Sequence, residues 1–291
     1  MENCIVKIKQ MIDQLAPAEN RVAQYLLDHT QEVIGQPIDQ VAAACQTSTT
    51  TVVRLCKQLG YKGYKALSIA LSTDLASGGQ NRISYQDISP TDDLHTILQH
   101  VSEHNQAAIA DTMRVLNEGD VARVVECMHR AKRVDFYGVG TPALVALDAQ
   151  LKFQRLCKDT QTSFDPHVQV VTAARLEPGD VAVLFSYSGE TADVLDTLEA
   201  AKRAGATTVS VTRYGSNTLS RAADIPLYVA ASEMLVRSAA MTSRIAMMHV
   251  VDLLFSAVAA IGYEQYKPAL DKTHLEGKAK RRSQKERRGR M

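Results

Sequence analysis

Five apolar residues in succession, Val181-Ala182-Val183-Leu184-Phe185, run directly into Ser186-Tyr187-Ser188-Gly189-Glu190-Thr191, and a helical stretch from Ala192 to Ala204 follows. So short and uniformly apolar a run reads as a strand buried on both faces, as in a parallel sheet flanked by helices. The same alternation surrounds it. Val134 to Gly138 reads as a strand and Ala143 to Cys157 as a helix, and a short strand near Ser163-Phe164 precedes a helix after His167. Strands at Thr207–Thr212 and Ile225–Val229, a short helix near Leu219–Ala222 and a helix over 238–261 complete the series. Strand and helix in turn predict an α/β domain whose parallel sheet is covered on both sides. In such sheets small ligands bind outside the carboxyl ends of the strands, beside a reversal of strand order.

The turn at 186–191 has the chemistry of an anion site. Free backbone N–H groups and the positive end of the dipole gather at a helix N-terminus, and here three side-chain hydroxyls join them. A single serine would suffice to cap the helix; three hydroxyls around a glycine exceed that need. No lysine lies in the turn, so it is not the Gly-x-x-x-x-Gly-Lys nucleotide loop, and a small phosphorylated ligand suits it better than a triphosphate. A second glycine turn, Gly138-Val139-Gly140-Thr141-Pro142-Ala143, occupies the equivalent place after the first strand. It also fits the dinucleotide fingerprint G-x-G-x-x-A, with Asp159 or Asp165 available for a ribose, and Pro142 suits the first helical position. Dinucleotide binding gives no reason for the second hydroxyl-rich turn, whereas a sugar phosphate gripped by both turns does.

The N-terminal third has a different period. Ile5, Ile8, Met11, Ile12 and Leu15 share one helical face, Pro17 opens a second helix bearing Val22, Tyr25, Leu26 and Leu27, and Pro37 precedes a short helix from Ile38 to Cys45. After the break Gln46-Thr47-Ser48, another helix runs from Thr49 to Leu59, and Gly60 stops it. Short helix, three-residue break and helix make the spacing of a helix-turn-helix. Val41, Ala42, Cys45, Val52, Val53, Leu55 and Leu59 are expected to face inward. Ser48 is a natural N-cap, and Thr49, Thr50, Thr51, Arg54 and Lys57 are left exposed on the helix that meets base edges in this motif. From Thr47 through Thr73 there is no acidic residue, while Arg54, Lys57, Lys62 and Lys65 supply positive charge suited to phosphates. An ordinary helical bundle with a solvated basic face would show the same pattern.

Ser77-Gly78-Gly79-Gln80-Asn81 marks the end of this domain, giving a helical domain over 1–77, a linker over 78–91 and an α/β domain over 92–275. The last begins with a helix from Asp92 to Leu116 whose apolar seam is Leu94, Ile97, Leu98 and Val101. The chain has a net charge of +1, unevenly placed: eight Lys or Arg against Glu286 alone between Lys278 and Arg290 leave the rest at −6. Residues 276–291 read as a disordered basic tail that either brushes nucleic acid non-specifically or is simply solvated. With 45% hydrophobic and 22% charged residues, the composition is that of a soluble globular protein. Cys4, Cys45, Cys56, Cys127 and Cys157 lack any C-x-x-C spacing and read as reduced, mostly buried thiols of a cytoplasmic protein, with no metal site and no cofactor. No signal peptide is expected, and no apolar stretch is expected to be long enough to span a bilayer; residues 245–261 come nearest, but His249 and Asp252 interrupt them and the segment reads as a core or interface helix.

The turn Ser186 to Thr191 within this alternation resembles the phosphate-binding turn of the sugar isomerase (SIS) domain. Leu15 to Ala23 with Tyr25-Leu26-Leu27, then Ser48 to Gly60 with Gly63-Tyr64, look like the N-terminal domain of RpiR-type transcription regulators. Together the two resemblances cover residues 1 to about 275, and the pair in this order is specific to that family. They imply a cytoplasmic bacterial regulator that binds double-stranded operator DNA and senses a phosphosugar; a homodimer or homotetramer is expected because one such unit makes too few contacts for tight specific binding. Carried over by motif, Ser186, Ser188 and Thr191 hold the phosphate, Gly189 allows close backbone approach, and Gly140 and Thr141 form the opposing turn. Pro142 stands where the family often has serine, which removes one hydroxyl contact. Asp165-Pro166-His167 resembles the Asp-x-His of relatives that sense N-acetylmuramic acid 6-phosphate. Glu233 and Arg237-Ser238 through Met241-Thr242-Ser243-Arg244 resemble a further segment of the same relatives, the MurR-like branch. That makes His167, Glu233 and Arg237 ligand candidates, with a helix-capping or core histidine and an interface salt bridge as the structural readings beside it. The alternative of another class is a sugar-phosphate isomerase with an accessory helical domain, for which Glu190, Glu233 or His167 would serve as acid or base. A helix-turn-helix has no use in such an enzyme, so no catalytic residue is assigned.

Overall fold

The computed structural model describes residues 4–12, 15–76, 92–231 and 240–273. Glu233, Arg237, the linker over 78–91 and the basic tail over 276–291 lie outside the described residues. By contacts the described chain falls into two compact units. One takes in the residues up to Asn117 with Thr212–Asn217 and the described part of Leu227–Ala246; the other holds Glu118–Val211, Thr218–Pro226 and the residues from Met247 on.

The helical part of the first unit contains α1 (Cys4–Met11), α2 (Pro17–Asp28), α3 (Thr30–Val33), α4 (Ile38–Ala44), α5 (Thr49–Gln58) and α6 (Tyr64–Ala76). Their core is small and closed: Ile8, Val22, Leu26, Val41, Val52, Leu55, Leu59, Leu67 and Leu71 are buried together. Val53, expected inside, is only half-buried, because Leu55 and Cys56 take the inward positions of α5. Burial lifts the Cys4 thiol up to about 12 and Cys56 to about 11, so both are inert, un-ionised packing groups. Cys157, by contrast, is exposed. Next comes α7 (Leu94–Val115), which starts on Asp93, its carboxylate accepting from the Thr96 N–H at 2.8 Å. Its expected apolar seam does not face a core. Leu94 and Leu98 are 71% and 60% exposed, and the buried positions lie further along, at Ala107, Ala108, Thr112 and Val115.

The second unit opens with a helix absent from the sequence expectations, α8 (Glu118–Arg130). Then follow β1 (Val134–Gly138), α9 (Thr141–Gln154), α10 (Pro166–Ala173), β2 (Val181–Phe185), α11 (Ala192–Arg203), β3 (Thr207–Arg213), α12 (Thr218–Ala222), β4 (Ile225–Val229) and α13 (Met241–Ile261), of which Thr212–Arg213, Leu227–Val229 and Met241–Ala246 belong to the first unit. The strands lie in the order β1-β2-β3-β4, with β1–β2 and β2–β3 parallel. The short strand expected near Ser163-Phe164 does not form; an isolated parallel bridge stands earlier, at Asp159. Asp159 and Gln161 carbonyls accept from the Val134 and Phe136 N–H groups at 2.9 and 3.0 Å, which places 159–161 parallel to the outer side of β1. The chain thus leaves β1, returns on its outer side, and crosses back to β2. That is the flavodoxin-like reversal, with its switch point between β1 and β2.

Alternation along the strands divides the packing. Phe136 meets Phe153 of α9 with ring centroids 5.2 Å apart, and Phe255 of α13 closes on Phe153 at 5.9 Å. Tyr137 and Leu184 point the other way, into a cluster with Ala173, Leu176, Val194 and Leu198 of the opposite layer. By length and composition α13 is long and apolar enough to cross a membrane, contrary to the sequence expectation. Its apolarity has a use in this fold: Met247, Val250, Val251, Leu254 and Val258 are buried, and Asp252 pairs with Lys152 at 2.9 Å.

One buried ionic cluster fastens the outer segment. Asp135 of β1 is fully buried; it accepts from Arg133 through Nε (3.0 Å) and a terminal guanidinium nitrogen (2.8 Å), from the Tyr137 hydroxyl (2.9 Å), and from the Gln161 N–H (2.9 Å). Burial pushes the Asp135 carboxyl up, opposed by the Arg133 guanidinium and these hydrogen bonds. Arg133 also donates to the Gln161 side chain at 2.8 Å. Arg133→Leu leaves this carboxylate unpaired and is expected to lower stability by about 3 kcal/mol in urea denaturation; a variant as stable as the parent would show that the cluster does not hold the edge.

Candidate functional site

The β1–β2 register sets Gly138 level with Phe185, so the chain leaves both strands at the same height. The turns that follow, Val139 to Thr141 and Ser186 to Thr191, therefore open side by side at the switch point. Gly138 is required by close approach: a Cβ there would stand 2.9 Å from the Pro142 carbonyl carbon and oxygen. Gly140, the N-cap of α9, has φ 69 and ψ −132, a conformation that side chains with a Cβ avoid. No side chain caps that helix start, where Pro142 has no N–H and the Ala143 N–H donates to the Gly140 carbonyl at 3.1 Å.

In the second turn the hydroxyls are not equivalent. Ser186 is buried; its Oγ accepts from the Gly189 N–H at 3.2 Å and lies 3.0 Å from the Thr191 hydroxyl. It shapes the loop. Ser188 is exposed and its Oγ accepts from the Glu190 N–H at 3.2 Å, while Gly189 holds φ 70. Thr191 is the half-buried N-cap of α11 and makes no capping bond with its own side chain. Glu190 turns its carboxylate to α12, accepting from the Thr218 N–H at 2.8 Å, and the Gly189 carbonyl accepts from Leu219 N–H at 3.0 Å.

The third candidate segment arrives beside them. Asp165 is the N-cap of α10, accepting from the His167 N–H at 2.9 Å, so its carboxylate serves the helix. His167 is exposed in the first turn of that helix. Gln169, which no sequence motif singles out, donates from Nε2 to the Gly138 carbonyl at 2.8 Å and to the Ser163 carbonyl at 2.7 Å. A polar residue among Val168, Val170 and Val171 was the available signal.

In the helical unit α4 ends in a left-handed turn. Gln46 has φ 48, and the Thr47 and Gln46 N–H groups donate to the Ala42 and Ala43 carbonyls at 2.9 and 3.0 Å. Arg21 of α2 clamps the same turn, donating to the Cys45 and Gln46 carbonyls at 3.2 and 3.3 Å. Ser48 then caps α5, its Oγ accepting from the Thr51 N–H at 3.2 Å. Thr50, Arg54, Lys57, Lys62 and Lys65 are exposed; Thr49 and Thr51 are half-buried. The Arg54 guanidinium donates through Nε to the Glu19 carboxylate of α2. Arg54 is 58% exposed but Glu19 only 3%, so the pair bridges surface and interior. Glu19 also accepts from Gln58 at 3.3 Å and from the Ala16 N–H at 3.2 Å.

A helix-turn-helix joined to a doubly wound domain with a hydroxyl-rich turn at its switch point defines a class, the regulator that carries its DNA-reading and small-molecule parts in one chain. The helix-turn-helix domain of the rpiR family matches residues 2–78, and the SIS domain matches residues 128–257. An uncharacterized HTH-type transcriptional regulator of Caldanaerobacter subterraneus is 37% identical over 273 residues, 94% of this chain and 96% of the relative. The HTH-type regulator YbbH of Bacillus subtilis is 35% identical, covering 91% of this chain and 94% of its own. The structure of Vibrio vulnificus NanR complexed with ManNAc-6P is similar over 94% of this chain and 97% of that one, with TM-score 0.58 and 27% identity. The chain belongs to the RpiR family of transcriptional regulators.

Three substitutions separate fold from surface in α5 and the turn before it. Arg54→Ala strands a buried carboxylate and is expected to cost about 1–2 kcal/mol of stability, whereas Lys57→Ala leaves the melting temperature unchanged; equal effects would mean the Arg54–Glu19 bond is not formed in solution. Gln46→Gly relieves the positive φ while keeping the carbonyls that Arg21 holds, and should raise stability by about 0.5–1 kcal/mol in thermal denaturation. A fall on that change would place Gln46 outside the left-handed region.

Proposed function

We propose that α5 reads operator DNA and that a phosphorylated amino sugar held between the turns at 138–141 and 186–191 changes that binding. The observation that carries this reading is the register of Gly138 with Phe185, which opens two glycine turns side by side at one switch point. Ser188 and Thr191 grip the phosphate with the backbone N–H groups of the α11 start, over a turn that Ser186 shapes from below. Gly140 and Thr141 close on the other side, and His167, Glu233 and Arg237 contact the sugar. On the DNA side, Ser48, Thr49, Thr50, Thr51 and Arg54 lie toward the bases, and Lys57, Lys62 and Lys65 toward phosphates. The NanR complex with ManNAc-6P supports an N-acetylated hexosamine 6-phosphate as the ligand class; N-acetylmuramic acid 6-phosphate is our first candidate within it. The protein turns nothing over: Glu190, a carboxylate that a proton-transfer scheme would call upon, is bound to the start of α12.

The regulator acts in the cytoplasm as a homodimer or homotetramer, because one helix-turn-helix makes too few contacts for tight specific binding and half-sites lie about one DNA turn apart. The exposed Leu94 and Leu98 of α7 and Leu144 and Leu151 of α9 are apolar side chains that association would cover.

A thermal-shift panel of sugar phosphates, their unphosphorylated parents and NAD(P) tests the reading. One phosphosugar at about 100 Kd should stabilise the native state by about 2.7 kcal/mol, and its parent sugar should leave the melting temperature unmoved. Ser188→Ala should abolish that shift while operator binding survives. A shift produced only by a dinucleotide would sink the phosphosugar reading.

A further inference from the structure

Gln169 is fully buried on α10, and neither of its side-chain hydrogen bonds goes to the phosphate turn. Its two carboxamide bonds go to the Gly138 carbonyl, where β1 ends, and to the Ser163 carbonyl, where the loop toward His167 begins. Both N–H groups of one amide are thereby directed at carbonyls that belong to different ligand-bearing segments. The orientation is fixed by chemistry, since the reversed amide would set an oxygen 2.7–2.8 Å from two carbonyl oxygens. The cost of this arrangement is visible on the same side chain: Oε1 is buried and has no hydrogen-bond partner. A buried polar atom left unmatched needs a reason, and packing alone supplies none.

The Ser163 end is itself ordered. The Asp165 N–H donates to Ser163 Oγ at 3.1 Å, Asp165 accepts from the His167 N–H, and the Gln169 N–H donates to the Asp165 carbonyl at 3.0 Å. Moving the Ser163 carbonyl therefore moves His167. At the other end, Gly138 precedes the Gly140-Thr141 turn directly and packs against Pro142 without room for a Cβ. The turn at 186–191 is held separately, by Ser186, Thr191 and the bonds to Thr218 and Leu219.

We infer that Gln169 is the positioning residue of the sugar-recognising half of the site, fixing the distance between the 138–141 turn and His167, while the phosphate turn stands without it. The inference rests on the proposed function, whose ligand it divides into two independently held parts. It makes sugar recognition and phosphate recognition separable by one substitution.

Gln169→Leu keeps the volume and removes both donors; Gln169→Glu keeps the shape and sets an acceptor against two carbonyls. Calorimetry with N-acetylmuramic acid 6-phosphate, N-acetylmannosamine 6-phosphate and inorganic phosphate is the measurement. In either variant the affinity for the sugar phosphate that binds the parent should fall about tenfold or more, with inorganic phosphate within about twofold of the parent. Unchanged sugar-phosphate affinity overturns the inference, and so does an equal loss for inorganic phosphate, which would indicate general damage. Amide hydrogen exchange without any ligand is the second readout. Protection at Asp165 and His167 should drop in Gln169→Leu while that at Gly189 stays, and unchanged protection at Asp165 and His167 refutes the staple. A parent that binds none of the three probes refutes the proposed function, and the exchange result then still decides whether Gln169 joins the two segments.

Discussion

Everything at the effector side depends on β1 being paired on both edges. On one edge its register with β2 sets Gly138 beside Phe185; on the other it holds 159–161 through backbone bonds and the Asp135–Arg133 cluster. A slip of one residue on either edge would flip Phe136 and Tyr137 between layers. It would also separate the two turns. The buried carboxylate is a poor source of stability in itself, but it is satisfied in only one register, and that selects a single alignment of an otherwise uniform apolar strand.

Within the 186–191 turn, residues of one chemical type divide into support and presentation. Ser186 is enclosed and bonds its own loop, whereas Ser188 stands at the surface. A hydroxyl-rich sequence thus contains its own scaffold. Glu190 belongs to the scaffold too: its carboxylate accepts from the Thr218 N–H at the start of α12.

Much of this was legible from the chain, for definite reasons. The change of apolar period from helical spacing to short uniform runs separates the two kinds of structure, and Ser48, Gly60, Gly138 and Gly140 mark boundaries by local backbone chemistry. What could not be read depends on partners distant in sequence. Glu19 meets Arg54, and Gln169 meets Gly138, across more than thirty residues. The sequence places a short strand near Ser163-Phe164. The chain pairs instead through polar Asp159 to Gln161, where backbone and ionic bonds replace burial. α8 carried a readable signal, Val124, Val125 and Met128 at helical spacing. The seam of α7 illustrates the opposite case: Leu94 and Leu98 have the right period for a core, but both are exposed among the described residues.

The Arg54–Glu19 bond ties the outer face of α5 to the inside of the helical unit. In the DNA-reading role proposed for α5, the operator constrains Arg54 from outside. Here an interior acid constrains it as well. Relatives that acquire a different operator preference are therefore expected to exchange both positions together, and retargeting α5 at this position has to begin with Glu19.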